Sequence, residues 1–142
     1  LLINDSEARA LAQENNLVKA MKTIHEMGPT VLVVKQGEYG ALLSSPDGLY
    51  MSPALPLEFV KDPTGAGDTF AGGFMGTIAR TGNWDEKTLR CAVRSGCTMA
   101  SFTVEHFGTK GIETLEMDDL RLRYNRLCDL SAPLTDTSVI WP

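Results

Sequence analysis

The stretch Asp62-Pro63-Thr64-Gly65-Ala66-Gly67-Asp68-Thr69-Phe70 decides how the rest of this chain is read. It joins an extended apolar segment to a helical one through small residues and sets one carboxylate at the turn. At a helix start the first N–H groups lack an acceptor within the helix, and the helix dipole favours negative charge there. The N–H groups of Gly65, Ala66 and Gly67 are therefore expected to face an anion such as phosphate. Gly65 and Gly67 have no Cβ, so the main chain can approach that anion closely. Asp68 does not suit a pure anion binder, because its charge repels the ligand. A carboxylate in that place suits a base that takes the proton from a hydroxyl attacking phosphorus. The plainer alternative is a tight turn with an acid near a helix start, where acids are favoured anyway.

Upstream of the turn, Leu57 to Lys61 is predicted to be the strand that delivers the chain to it. Before that, Ala41 to Ser44 and Leu49 to Ser52 flank the turn-forming group Ser45-Pro46-Asp47-Gly48 and predict a hairpin. Thr30 to Lys35 is β-branched and unbroken, which suits a strand buried on both faces and implies a parallel sheet. Leu17, Met21, Ile24 and Met27 recur at helical spacing and stop at Gly28-Pro29. Leu1 to Ile3 reads as a short strand, followed by a helix from Asn4 or Asp5 to about Gln13.

Downstream, Phe70, Phe74 and Ile78 form one apolar stripe of a helix that also holds Gly72, Gly73 and Gly76. Glycine inside a helix costs about 1 kcal/mol relative to alanine, so three of them predict close packing against another backbone. Glu86 to Phe107 places Leu89, Val93, Cys97, Ala100 and Val104 on one face, and Met117, Leu120, Tyr124 and Leu127 repeat the pattern in a last helix. Residues 1–130 read as one unit, and Ser131 to Pro142, with Pro133 and Pro142, as an irregular tail.

Composition excludes several functions. The chain has 142 residues, a length that implies one domain able to bury a core. Its formal charge of −5, with no local basic cluster, argues against a nucleic-acid surface. No apolar run approaches the ~18 residues of a membrane span. Cys91, Cys97 and Cys128 lack CxxC spacing and, with His25 and His106 far apart in sequence, make no metal constellation. They read as thiols of a reducing, cytoplasmic compartment. The opening Leu1-Leu2-Ile3-Asn4, without an initiator methionine, resembles the end of a buried strand, and the chain is expected to be a fragment. A homodimer stays open, since half an enzyme can expose apolar surface that its other half normally covers.

The nine residues 62 to 70 resemble the second signature of the PfkB, or ribokinase-like, family of carbohydrate and nucleoside kinases. The order of other segments is similar to the C-terminal half of that family: Asn4-x-x-Glu7, then Lys35-Gln36-Gly37-Glu38-Tyr39-Gly40, then the signature, then Ser101-Phe102-Thr103-Val104-Glu105-His106-Phe107-Gly108. The resemblance covers most of residues 1 to about 125. The family's N-terminal half, with its glycine-rich sugar-binding motif and small β-sheet lid, has no counterpart here.

The resemblance implies an α/β fold, a mainly parallel sheet flanked by helices with one β-hairpin, forming the nucleotide-binding half of a ribokinase-like domain. It implies ATP-dependent phosphorylation of a hydroxyl on a small sugar or nucleoside, with Mg²⁺. Asp68 would be the catalytic base, and Gly65, Ala66 and Gly67 would hold the transferring phosphoryl oxygens. Asn4 and Glu7 would help hold Mg²⁺ and the nucleotide phosphates through water, although Asn-x-x-Glu at a strand-to-helix junction is also a capping box. Lys35, Gly37, Glu38 and Gly40 would form the nucleotide loop, whose glycines equally suit the backbone of a hairpin entry. Lys35 departs from the small hydroxyl residue often seen at that place, and either pairs with a phosphate or snorkels at a strand end. Thr64 falls among the nucleotide contacts. Cys97 stands where many members place an asparagine or histidine against adenine, or simply packs in its helix stripe. Asp62, Thr64, Thr103, His106 and Gly108 match positions that in relatives supply oxygens to a monovalent cation such as K⁺. His106 would serve through its carbonyl, and Asp62 could equally start the turn.

Overall fold

The computed structural model describes residues 1–132. The elements run β1 (Leu2–Asn4), α1 (Asp5–Ala12), α2 (Leu17–Glu26), β2 (Leu32–Lys35), a 3₁₀ turn (Gly37–Tyr39), β3 (Ala41–Ser45), β4 (Gly48–Ser52), α3 (Ala66–Thr81), α4 (Glu86–Thr103), α5 (Lys110–Glu113) and α6 (Met117–Leu130). Most of the expected irregular tail lies outside the described residues. No described helix is long and apolar enough to cross a membrane.

The strands form one sheet in the order β1-β2-β3-β4. The β1–β2 pair is parallel, with Leu2 opposite Val33 and Asn4 opposite Lys35. Both later pairs are antiparallel, Leu43 facing Val33 on one side and Tyr50 on the other. The α/β class with one hairpin therefore holds, but the sheet within this chain is mixed rather than mainly parallel. The reason is local: strands joined by a two-residue turn can only run antiparallel, and here the hairpin supplies half of the strands.

Alternation along β2 sorts the core into two layers. Val33, with Ala41 and Leu43, packs against Phe70, Phe74, Ile78, Leu89, Val93 and Leu127 of α3, α4 and α6. Leu32 and Val34 point the other way, onto Ala8, Met21 and Ile24 of α1 and α2. Burying a side chain such as Phe74, 1% exposed, contributes about 1.5–3 kcal/mol. Lys35 has the parity of Val33, so the same alternation sends it to the α3 side.

Two expectations need correction. Leu57 to Lys61 is not a strand, because no strand among the described residues pairs with it: the N–H groups of Lys61 and Asp62 both donate to Val104 O, at 2.7 and 3.2 Å. Phe59 and Val60, which a buried strand would hide, are 77% and 59% exposed, and Leu55 enters the core instead. Among the three α3 glycines, only Gly73 is closely packed. A Cβ there would lie 2.8 Å from Met99 Cγ and 2.9 Å from Ser95 O, whereas Gly72 and Gly76 have open space. The close helix contact is completed from the other side by Gly96, where a Cβ would meet the Phe70 ring at 2.8 Å.

This contrast makes a prediction. Gly76→Ala is expected to raise unfolding free energy by about 0.5–1 kcal/mol, because it removes glycine's unfolded-state entropy at an unhindered helical position. Gly73→Ala is expected to lower it by about 1–3 kcal/mol through overpacking. Urea titrations of the two variants check the opposite signs.

Candidate active site

The turn before α3 is built as its residues require. Gly65 caps the helix at φ 82°, ψ −6°, a left-handed conformation that glycine adopts without strain. Ahead of it, the Thr64 N–H donates to Asp62 Oδ1 at 2.9 Å. Hydrogen bonds from the Thr64 hydroxyl and N–H hold the Asp62 carboxyl below its usual value. Asp62 therefore starts the turn, as its plainer reading required.

The three N–H groups expected to face an anion are not equivalent. That of Ala66 donates to Pro63 O at 3.2 Å. Those of Gly65 and Gly67 have no protein acceptor among the described residues, and the N–H of Asp68 joins them. The Asp68 side chain is exposed in the first turn of α3 and makes no hydrogen bond or ion pair among the described residues.

Beside this turn lies a cleft of ≈ 920 Å³ that brings together residues far apart in sequence. Asn4, Lys35, Gly37, Glu38, Gly40, Ala66, Gly67 and Cys97 all line it. The Lys35 ammonium comes so close to the turn that a Cβ on Gly67 would be 2.9 Å from its Nζ. The far wall is apolar, made by Leu55, Leu57, Val60, Ala100 and Val104, with Tyr39 at the rim. Sequence reading missed this wall. It comes from the linker and from the α4 face turned to that linker, and no spacing rule connects the two.

Asn4 and Glu7 adopt the capping box. The Glu7 N–H donates to Asn4 Oδ1 at 2.8 Å, and the Asn4 N–H donates to Glu7 Oε2 at 2.7 Å. Asn4 also faces the cleft, whereas Glu7 does not line it. Gly37 and Gly40 have φ of 56° and 102°, a left-handed backbone that glycine adopts without strain. Glu38 is exposed at the rim, and Thr64 is exposed outside the cleft lining.

Cys97 is 5% exposed and belongs to the core around Val93 and Phe70 while also touching the cleft. Burial pushes its thiol up to about 11 from an ordinary 9.0. Because the folded value is the higher one, its contribution to stability is full below about pH 9 and is lost as pH rises towards 11. At pH 8 iodoacetamide is expected to modify the half-buried Cys91 and Cys128 and to leave Cys97 unmodified until the chain is unfolded, as peptide mass mapping would read.

Of the residues matched to a monovalent-cation site, Asp62 meets the end of α4, its N–H donating to Val104 O at 3.2 Å, and the His106 N–H donates to Thr103 O at 3.1 Å. Thr103 is buried and its hydroxyl donates to Thr69 Oγ1 at 2.9 Å, and its methyl lies near Gly65. The His106 side chain is exposed, with Nδ1 3.3 Å from Phe102 O. Gly108 turns the following loop at φ 59°. Glu105, between them, is anchored by Arg123 at 2.5 Å, and the Arg123 guanidinium stacks 3.6 Å from the Phe102 ring centroid. Among the described residues no three His, Cys, Asp or Glu side chains cluster as a metal site.

The family model for pfkB family carbohydrate kinases matches residues 1–115. The chain belongs to this family. It is 33% identical over 108 residues to the cytidine kinase of Thermococcus kodakarensis, covering 74% of this chain and 36% of that protein. To the nucleoside kinase of Methanothermobacter thermautotrophicus it is 39% identical over 87 residues, 61% of this chain and 26% of the relative. Among solved structures, aminoimidazole riboside kinase from Salmonella enterica, complexed with aminoimidazole riboside and an ATP analog, superposes with a TM-score of 0.76 at 27% identity. That match covers 87% of this chain and 41% of the kinase. The pfkB chain described here thus spans about a quarter to two fifths of the length of these relatives.

Proposed function

We propose that this chain is the nucleotide-binding part of an ATP-dependent phosphotransferase that phosphorylates a hydroxyl of a small sugar. The observation that carries the reading is the first turn of α3, where acceptor-free N–H groups precede an exposed Asp68 carboxylate and Gly67, next to Asp68 in the chain, lines the cleft. In the transfer step the acceptor hydroxyl oxygen forms a bond to the γ-phosphorus while the bond from that phosphorus to the bridging oxygen breaks. The electron pair leaves with ADP, and the hydroxyl proton passes to Asp68. The N–H groups of Gly65 and Gly67, joined by that of Asp68, stabilise charge on the transferring oxygens. Ala66 contributes its N–H once it leaves the Pro63 carbonyl.

The cleft fits a nucleoside triphosphate. Its volume lies in the range of small-molecule pockets, and it pairs a cationic, donor-rich end at Lys35 and Gly67 with an apolar wall. In this reading Asn4, Lys35, Gly37, Glu38, Gly40 and Cys97 border the nucleotide, and Thr64, outside the cleft lining, meets at most its phosphate end. Mg²⁺ is held mostly by phosphates and water, so a lone carboxylate such as Glu7 acting through water suits it better than a protein cage would. When bound, the metal neutralises charge on the phosphates. Asp62, Thr64, Thr103, His106 and Gly108 are the candidate oxygen donors for K⁺. A reducing cytoplasmic setting agrees with the three free thiols.

A nucleoside acceptor is the second reading, favoured by the similarity to cytidine and nucleoside kinases. In either case this chain covers a minor part of such enzymes, so it is expected to be inactive alone and to need the remaining part for the acceptor. Calorimetric titration of the chain with ATP·Mg²⁺ tests the common core of both readings. Saturable heat supports it, and absence of heat from a folded sample rejects it.

A further inference from the structure

Lys35 occupies an unusual position for a strand-end lysine. It closes β2, and its parity with Val33 turns it from solvent towards the layer that contains α3. Its ammonium reaches the α3 turn at Gly67, one of the two positions there that lack a side chain. A Cβ at Gly67 would lie 2.9 Å from Nζ, so any larger residue there would have to displace the lysine. The residue is half-buried, and none of the four ion pairs among the described residues includes it. Its strand neighbour Asn4 cannot answer the charge, since that side chain already caps α1.

A lysine head that has no ion-pair partner among the described residues and lies beside the acceptor-free N–H of Gly67 has one chemical complement: an oxyanion held between them. The two sides differ in kind. The N–H groups of α3 are fixed dipoles, whereas the lysine head is a mobile point charge on a flexible stem. A fixed donor holds oxygens in one place, while a mobile charge can stay with a group that moves.

We propose that Lys35 is a catalytic residue whose ammonium contacts the terminal phosphoryl group of the nucleotide and follows it from donor to acceptor. This deepens the phosphoryl-transfer reading above and rests on it. Gly67 has a second role as a consequence: besides freeing its N–H for an oxyanion, it leaves the room that Nζ occupies.

Calorimetry on the 142-residue chain with Mg²⁺ and ATP, ADP or AMP as separate probes tests this, with circular dichroism to confirm that each variant is folded. Lys35→Met is expected to weaken ATP by about 10- to 100-fold and ADP by about threefold or less, with AMP unchanged, as expected when one charge-assisted contact to the last phosphate is lost. Lys35→Arg is expected to retain ATP within about fivefold. If Gly67→Ala already displaces the ammonium, adding Lys35→Met should cost much less ATP affinity than it does in the parent. The inference is overturned if a folded Lys35→Met chain binds ATP as the parent does, or loses ATP and ADP equally, or if its loss is unchanged in the Gly67→Ala background. No binding of ATP or ADP by the parent would instead reject the phosphoryl-transfer reading, and the role of Lys35 with it.

Discussion

Asp68→Asn in the complete kinase is expected to lower kcat by about 10²–10⁴-fold, the range that a positioned general base contributes. ATP affinity should hold within a few-fold or improve, because the substitution removes a negative charge beside the phosphates. The structure makes this result interpretable. The Asp68 side chain is exposed and bonds to nothing else among the described residues, so its replacement leaves the core untouched. Its share in folding is limited to the interaction of an acid with the α3 dipole, about 0.3–1 kcal/mol at an exposed helix start. Single-turnover phosphorylation in the complete enzyme, alongside nucleotide titration, separates the two effects. Near-native turnover by the variant would rule out the general-base role, and a parallel loss of nucleotide binding would point to a structural one.

Gly40→Ala is expected to be the most damaging single substitution for folding. Gly40 sits at φ 102°, ψ −136°, where a Cβ would stand 2.1 Å from Ser52 O, 2.6 Å from Ala54 N and 2.6 Å from Pro53 C. All three are backbone atoms, at the end of β4 and in the two residues that follow it, so no rotamer change relieves the clash. Backbone strain at such an angle and forced displacement of β4 each cost about 1–3 kcal/mol. Together they are a large share of the 5–15 kcal/mol that stabilises a typical domain. Little soluble folded protein, or a large fall in the urea midpoint, is the expected result. Gly37→Ala is the internal control, since Gly37 has positive φ but open space around it and should lose only the strain component. Comparable stability of the Gly40→Ala and parent chains would show that the loop can be rebuilt.

Most helices were legible in the sequence because each is short-range in origin. Asn4 and Glu7 announce the start of α1, the Leu17-Met21-Ile24 stripe marks α2, and Phe70-Phe74-Ile78 marks the buried face of α3. The hairpin was legible for the same reason, its turn residues lying between alternating strands. The segment 57–61 was not, because its β-branched and aromatic residues carry strand propensity but no partner strand within this chain. Pairing is a tertiary fact, and propensity does not contain it. Likewise Gly72, Gly73 and Gly76 look alike in sequence, and only the approach of Met99 and Ser95 separates Gly73 from the others.

The site divides along the same line. The signature at 62 to 70, with the order of three other segments, pointed to the pfkB family and nominated Asp68 and its glycines, because a helix start with small residues is a local construction whose orphan donors follow from backbone geometry. Which donors stay free was decided by the turn itself, where Pro63 takes the Ala66 N–H and leaves that of Asp68 unclaimed. The meeting of Lys35 with Gly67 could only come from the folded chain. Thirty-two positions separate them, and what joins them is the alternation of β2, which turns every second side chain towards the helix layer that begins at the glycine turn. Sequence by itself determined the local backbone of residues 62 to 70; tertiary structure decided which charge faces it, because a contact across a sheet face depends on register and layer packing rather than on neighbours along the chain.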